Sequence, residues 1–325
     1  MLNYKKLIAG MMLGAMSLSP AWAQKEWPKG PITIIVPFGT GNGLDVMARS
    51  YSVPLGQQLN VPVVVDNKEG AGGLIGTMAT ARAAPNGQTI MFTAEYPFLT
   101  TPSMQAGQTY DPVTGFTPIA KVASSPHVVV VGGSSTLKTM DDLARFAKAN
   151  PGKLSFASSG VGTPSHLYME RLLKDVGIPA THVPYKSTGT ATTDVISGQV
   201  QLYMPSLSAV MPLLRDGKLR ALAIGSSKRM DKMPDVPTLA EVLHKPGLDA
   251  YVWFGFLAPK GVDPATAERL HREIELATKS PGVSTVFAQL DADFAPADPR
   301  RFGEEIRAGN QRARDLLNSA GVDAK

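Results

Sequence analysis

Short apolar runs alternate with longer amphipathic ones along most of the chain. Near-continuous runs rich in Val, Ile and Leu at residues 32–37, 63–66, 89–93, 128–131, 154–158, 182–184, 201–204, 221–224 and 253–258 predict strands. Runs with no polar face are those of strands covered on both sides. Between them, residues 44–59, 140–149, 165–176 and 264–279 repeat apolar positions at helical spacing. This alternation predicts an α/β fold whose sheets are mixed and mainly parallel, flanked by helices. Asn150-Pro151-Gly152, Pro184 and Pro234-Asp235-Val236-Pro237 punctuate the elements. One design, a strand followed by a glycine-rich turn and a helix, appears at 34–48 and again at 154–172, which predicts two lobes. The tail, 264–320, reads as helices broken near Pro281-Gly282 and Pro296–Pro299, and needs a sheet to pack on; the N-terminal sheet is the expected one.

The candidate chemistry lies in the turns. Phe38-Gly39-Thr40-Gly41-Asn42-Gly43-Leu44-Asp45 follows the first strand, and Asn67 with Gly70-Ala71-Gly72-Gly73 follows the second. Ser158-Ser159-Gly160-Val161-Gly162-Thr163-Pro164 and Tyr185-Lys186-Ser187-Thr188-Gly189 follow two later strands. Glycine lets the backbone bring its N–H groups close to a ligand, and a helix start offers unpaired donors that suit an anion. One such turn is ordinary punctuation. Four at the carboxyl ends of strands mark the edge where open α/β sheets bind ligands. The Gly39-x-Gly41-x-Gly43 spacing departs from the dinucleotide fingerprint, and Asp66 follows too far along to be its acidic partner. No G-x-S-x-G elbow occurs, and no two of the five histidines have metal-site spacing. His166 and Glu170 share a helix face, a pairing that reads as solvated rather than metal-binding.

Composition narrows the class. The net charge of +5 falls to +3 once Lys5 and Lys6 of a leader are set aside, too little and too scattered for a nucleic-acid footprint. The absence of cysteine excludes thiol chemistry and Cys-ligated zinc. Residues 1–23 have a basic start, a short apolar run and the small-x-small end Ala21-Trp22-Ala23 before Gln24, the pattern of a cleaved secretory signal peptide. Export to a periplasm is therefore expected, where nicotinamide cofactors are not generally available.

The motifs together resemble one family. Trp27-Pro28 with Pro31-Ile32, Ile35-Val36-Pro37-Phe38, Asp45 with Ala48-Arg49, Asn86-Gly87, Phe116-Thr117-Pro118-Ile119-Ala120, Gly160-Val161-Gly162-Thr163, His182-Val183-Pro184-Tyr185-Lys186 and Gly217-Lys218-Leu219-Arg220-Ala221 stand in the order found in substrate-binding receptors of tripartite tricarboxylate transporters, the TctC-like or Bug proteins. The resemblance implies a two-lobed, type II-like periplasmic binding protein with two crossover segments near 128–131 and 251–258. It implies lobe 1 from residues 24–125 plus 249–325 and lobe 2 from 126–248. It also implies a monomeric receptor, not an enzyme, that needs no cofactor or metal. Its ligand is a small carboxylate and its partners are membrane permease subunits or a sensor domain. Roles carry over to Phe38, Gly41, Asn42, Gly43, Asp45, Ala71 and Gly72 on one lobe, and to Ser158, Gly162, Thr163, His166, Tyr185, Ser187 and Gly189 on the other. The sequence departs from the family at Asn42, Lys186-Ser187 and Gln201, and at Ala94-Glu95, where small or hydroxyl residues are common. A carboxylate at Glu95 in the cleft predicts a ligand with an amino, amide or ring nitrogen beside its carboxylate; otherwise Glu95 turns to solvent or pairs with a lysine. Two other classes stay open from the sequence: a periplasmic hydrolase using Ser159, and a signalling binder without a permease.

Overall fold

A computed structural model describes residues 27–100, 102, 110–245 and 250–321. The leader, Gln24 and the expected 248/249 lobe boundary lie outside the described residues.

The first sheet has six strands: β1 (Ile32–Val36), β2 (Val63–Asn67), β3 (Thr89–Ala94), β4 (Phe116–Pro126), β10 (Tyr251–Pro259) and β11 (Asp293–Ala297), in the order β11-β4-β10-β3-β1-β2. The second has five: β5 (Val128–Gly132), β6 (Ser155–Ser158), β7 (Thr181–Pro184), β8 (Leu202–Tyr203) and β9 (Leu219–Ile224), in the order β7-β6-β8-β5-β9. Both are mixed, with most strands running one way: β10 and β11 oppose the rest of the first sheet, and β5 alone opposes the rest of the second.

The continuous apolar runs at β1, β3, β5 and β10 are strands buried on both faces, as their pattern predicts, whereas those at β2 and β7 lie at sheet edges and stay partly exposed, Val64 most of all. In β5, Val129 and Val131 enter one core while Val128 and Val130 enter another. In β10, Val252, Phe254, Phe256 and Ala258 face one side, and Trp253 and Leu257 the other. The period of two along a strand turns one run into two cores. Helices α1 (Gly43–Leu59), α9 (Pro264–Thr278) and α10 (Pro281–Gln289) cover the first face of the large sheet; Tyr51 from α1 meets Phe256 edge-on at 5.0 Å. On the opposite face lie α2 (Leu74–Ala81), α3 (Glu95–Leu99) and the long α11 (Pro299–Ser319), whose Phe302 meets Trp253 at 4.9 Å. The tail therefore packs on the N-terminal sheet as expected, and it also supplies a strand, β11, that its helical pattern does not announce. In the smaller half, α4 (Met140–Ala149), α5 (Pro164–Val176) and α8 (Leu239–Leu243) cover one face, with α6 (Thr188–Ser197) and α7 (Leu207–Arg215) on the other.

The chain crosses between the halves at two places that lie side by side. The His127 N–H donates to the Ala250 carbonyl at 2.7 Å, and the Gly225 N–H donates to the His127 carbonyl at 2.8 Å. The Ala250 N–H returns to the Gly225 carbonyl at 2.9 Å. A side chain at Gly225 would run into Ala250, so this close crossing requires glycine.

Candidate functional site

The carboxyl ends of β1, β3, β6 and β8 converge on a cleft between the two sheets, a cavity of about 340 Å³. From the first half it is lined by Phe38, Asn42, Gly43, Leu44, Ala94, Tyr96, Val252 and Phe254; from the second by Ser159, Pro164, Ser165, Thr188, Tyr203, Pro205 and Ser206. His127, on the crossover, completes it. Among the described residues, no Asp, Glu, Lys or Arg lines this cleft.

The turn after β1 is held by its own side chains. Asn42 caps α1: its Oδ1 accepts from the Asp45 N–H at 3.1 Å, and its Nδ2 donates to the Gly39 carbonyl. Asp45 is buried and accepts the Gly41 N–H at 2.8 Å, while Arg49 pairs with it at 2.9 Å. Burial alone would raise the Asp45 pKa, but Arg49, the Gly41 N–H and Asn67 outweigh it and hold the carboxyl below its usual value. Arg49 and the Phe38 carbonyl are in turn tied to Asn67 at the end of β2, at 2.8 and 2.9 Å. Gly41 takes φ +82°, which glycine adopts without strain. The N–H groups of Gly43 and Leu44, at the first positions of α1, have no acceptor within the helix and border the cleft.

The turn after β6 is built in two layers. Facing the cleft, the Ser165 Oγ accepts from the Ser159 N–H at 3.1 Å and contacts the hydroxyls of Ser159 at 3.2 Å and Thr163 at 3.0 Å. Behind it, the fully buried Ser158 bonds His182 Nε2 at 2.6 Å and the Gly160 backbone at 3.1 Å. His166 Nδ1 accepts the Gly162 N–H at 3.0 Å, so its proton sits on Nε2. The two imidazoles stack with centroids 3.9 Å apart, and Phe156 continues the stack 4.8 Å from His182. Burial, then the neighbouring His182, pushes the His166 pKa down to about 4, and burial lowers that of His182.

The sequence-predicted residues thus divide. Phe38, Asn42, Gly43 and Ala94 line the cleft. Gly41, Asp45, Ser158, Gly162, Thr163 and His166 stand behind it and fix its turns. Ala71 and Gly72, both with positive φ, form an exposed turn after β2, outside the cleft lining. Tyr185 donates to Asp194 at 2.7 Å, Ser187 caps α6, and Gly189 is exposed; of that turn, Thr188 alone lines the cleft. Glu95 is not in this lining; it stands in an adjoining small cavity with Tyr168 and Gly309, which shares Tyr96, Pro164 and Val252 with the cleft, and it pairs with Arg312 at 3.6 Å, an arginine of α11 rather than a lysine. Burial pushes its pKa up to about 7, against the pull of Arg312.

The sequence gives no signal for His127, Tyr203, Ser206, Val252 or Phe254, which reach the cleft from crossovers and strand ends. Two of them carry orphaned polar atoms. Among the described residues, the buried Tyr203 hydroxyl and His127 Nδ1 make no well-formed hydrogen bond, though the Tyr203 hydroxyl lies beside those of Ser159, Ser165 and Thr188. Burial holds the His127 pKa down to about 4, so its ring is neutral near pH 7. Ser159, the candidate nucleophile, meets Ser165, whereas the serine that does hold a histidine, Ser158, is sealed from the cleft.

Two α/β lobes that meet at paired crossovers, with an uncharged cleft lined by turns from both, define a two-lobed solute-binding protein of the periplasmic class. The comparisons with known proteins agree. Residues 47–321 match the model of the tripartite tricarboxylate transporter family receptor, TctC, and the chain belongs to that family. Protein BugT of Bordetella pertussis is 35% identical over 327 residues, covering 100% of each chain. The solved periplasmic binding protein BugD superposes with a TM-score of 0.77 at 32% identity, covering 92% of this chain and 100% of its own. An R. palustris protein solved with adipate gives 0.79 at 28% identity, covering 91% and 99%. Among the described residues, no helix is long and apolar enough to cross a membrane.

Proposed function

We propose that this chain is a periplasmic receptor for a small organic carboxylate, which it delivers to a tripartite tricarboxylate-type permease. One observation carries the reading: a cleft without charged side chains, where the free N–H groups of Gly43 and Leu44 face the hydroxyls of Ser159, Ser165, Thr188 and Tyr203. Donors of this kind hold an anion without a salt bridge, and they strengthen as water leaves. The adipate-bound R. palustris relative supports the ligand class.

In this reading residues 1–23 are removed at Ala23-Gln24. Residues 24–125 plus 249–325 form lobe 1, and 126–248 form lobe 2. The monomer closes about the 127/225/250 crossing when a ligand bridges the two sets of turns. Asp45, Asn67, Ser158, Gly162 and His166 shape those turns and do not touch the ligand. Isothermal titration of the mature protein with a panel of organic acids tests the reading, alongside native mass spectrometry of protein purified from a periplasmic extract. A co-purified acid on a chain beginning at Gln24 is the expected result. Turnover of an ester or amide substrate that is lost in Ser159→Ala would replace this reading with the hydrolase. Ligand-dependent capture of a sensor domain, with no permease responding, would replace delivery with signalling.

A further inference from the structure

We infer that the ligand is an aromatic monocarboxylate, bound with its ring against lobe 1 and its carboxylate against lobe 2. The inference rests on the carboxylate reading above and narrows it.

The cleft is asymmetric. Lobe 1 presents carbon: Phe38, Leu44, Tyr96 and Phe254 line its side. Aromatic faces and edges of this kind favour a planar ring over a flexible chain, which has more freedom to lose and no π-system to offer. Lobe 2 presents hydroxyls: Ser159, Ser165, Thr188 and Tyr203. Four neutral donors gathered at one end suit one carboxylate.

A second carboxylate has no comparable place. Lobe 1's own anion seat is already in use, because the buried Asp45 takes the Gly41 N–H at the start of α1. Arg49, which neutralises Asp45, is also tied to Asn67 and is not among the lining residues. A second carboxylate set against Gly43 and Leu44 would find two backbone N–H groups there and, among the described residues, no cation in the lining, where lobe 2 offers four hydroxyls.

The orphaned atoms place the head group independently. The Tyr203 hydroxyl is sealed from solvent, lies in the lining beside the hydroxyls of Ser159, Ser165 and Thr188, and makes no well-formed hydrogen bond among the described residues. A buried donor left unpaired is costly, so a native site that keeps one has a partner for it in another state. A carboxylate resting on the Ser159 and Ser165 hydroxyls meets that need. The neutral His127, whose Nδ1 is also unpartnered, stands at the cleft floor, where it can hydrogen-bond a ring substituent.

Titration of the full mature chain with benzoate, cyclohexanecarboxylate, adipate and benzamide tests this. Benzoate should bind about tenfold tighter than cyclohexanecarboxylate or adipate, and about 100-fold tighter than benzamide. Tyr203→Phe removes one oxygen from a buried ring and should weaken benzoate about tenfold. Phe38→Ala, at a half-buried position, should weaken benzoate by a similar factor and adipate by less. Thermal melts of both variants establish that each remains folded. Adipate binding as tightly as benzoate, or cyclohexanecarboxylate equalling it, overturns the aromatic monocarboxylate and leaves the carboxylate receptor standing. Benzamide equalling benzoate, or none of the four binding, overturns both.

Discussion

Glu95 shows how a single residue's surroundings set its chemistry. Its side chain is mostly shielded, with one arginine 3.6 Å away. Burial dominates and lifts its pKa from 4.5 to about 7. Between those values the folded protein holds a proton that the unfolded chain has released. Stability from this site is therefore full below pH 4.5 and is lost as pH rises through about 7. The shift corresponds to about 3 kcal/mol. Glu95→Gln should remove the alkaline loss, so its urea midpoint at pH 8 should exceed that of the wild type while the two converge near pH 4.5. The opposite sign holds for His166, whose folded pKa is depressed from 6.5 to about 4. Its contribution is present above 6.5 and lost as pH falls through about 4, because the unfolded imidazole takes a proton that the stacked one refuses. His166→Gln should flatten the acid limb of the stability curve between those values. It should also weaken ligand binding, since the Gly162 N–H loses the acceptor that shapes the turn.

Helix caps separate what an element needs from what the site needs. Asn42 caps α1 at the cleft, and Thr139 caps α4 away from it, its own N–H donating in return to the Asp142 carboxylate. Asn42→Ala and Thr139→Ala should each cost about 1 kcal/mol in chemical denaturation. Asn42→Ala alone should also weaken ligand binding, because the same amide ties down the Gly39 carbonyl in a cleft-lining turn. The elements legible in the sequence were those with one dominant signal. Val128–Val131 reads as a doubly covered strand, and the glycine turn at 39–43 followed by an apolar period reads as a helix start. β4 is illegible because Pro118, Lys121 and the Ser124-Ser125 pair interrupt any period, although nine of its eleven residues are matched to β10 and the other two, Ile119 and Val122, lie between such matches. α7 is hidden by Pro212, and β11 by Pro296, tolerated at the sheet's outer edge where no neighbour needs its N–H. The site follows the same rule. Turn residues carry local glycine signatures, whereas His127, Tyr203 and Phe254 reach the cleft through strand pairing between segments distant in sequence, which leaves no local mark.

At the scale of the whole molecule, the lobes are joined by more than the crossing chains. Arg215, at the end of α7, and Lys232, in the loop after β9, both reach Asp291 of the other lobe, at 2.9 and 3.5 Å. Lys232 also reaches Asp293 at the start of β11, at 3.2 Å. Asp293 is paired in register with Ser124 of β4, so this ionic strut lies close to the pivot rather than at the mouth of the cleft. Asp291 is nearly sealed from solvent, so its attraction for the two cations is screened less than that of an exposed pair. A strut near the pivot restrains rotation and leaves the cleft lining untouched. Its removal should therefore change the spread of lobe arrangements without changing ligand contacts. Asp291 takes φ +49°, a conformation asparagine tolerates, so Asp291→Asn deletes the charge and keeps the turn. In small-angle scattering the unliganded variant should show a larger radius of gyration than the wild type. Raising the ionic strength to about 1 M, where the screening length falls to about 3 Å, should move the wild type part of the way toward the variant. With saturating ligand the two should coincide, because a bridged cleft fixes the lobes by other contacts. A variant that stays as compact as the wild type without ligand would show that the paired crossovers alone set the angle between the lobes.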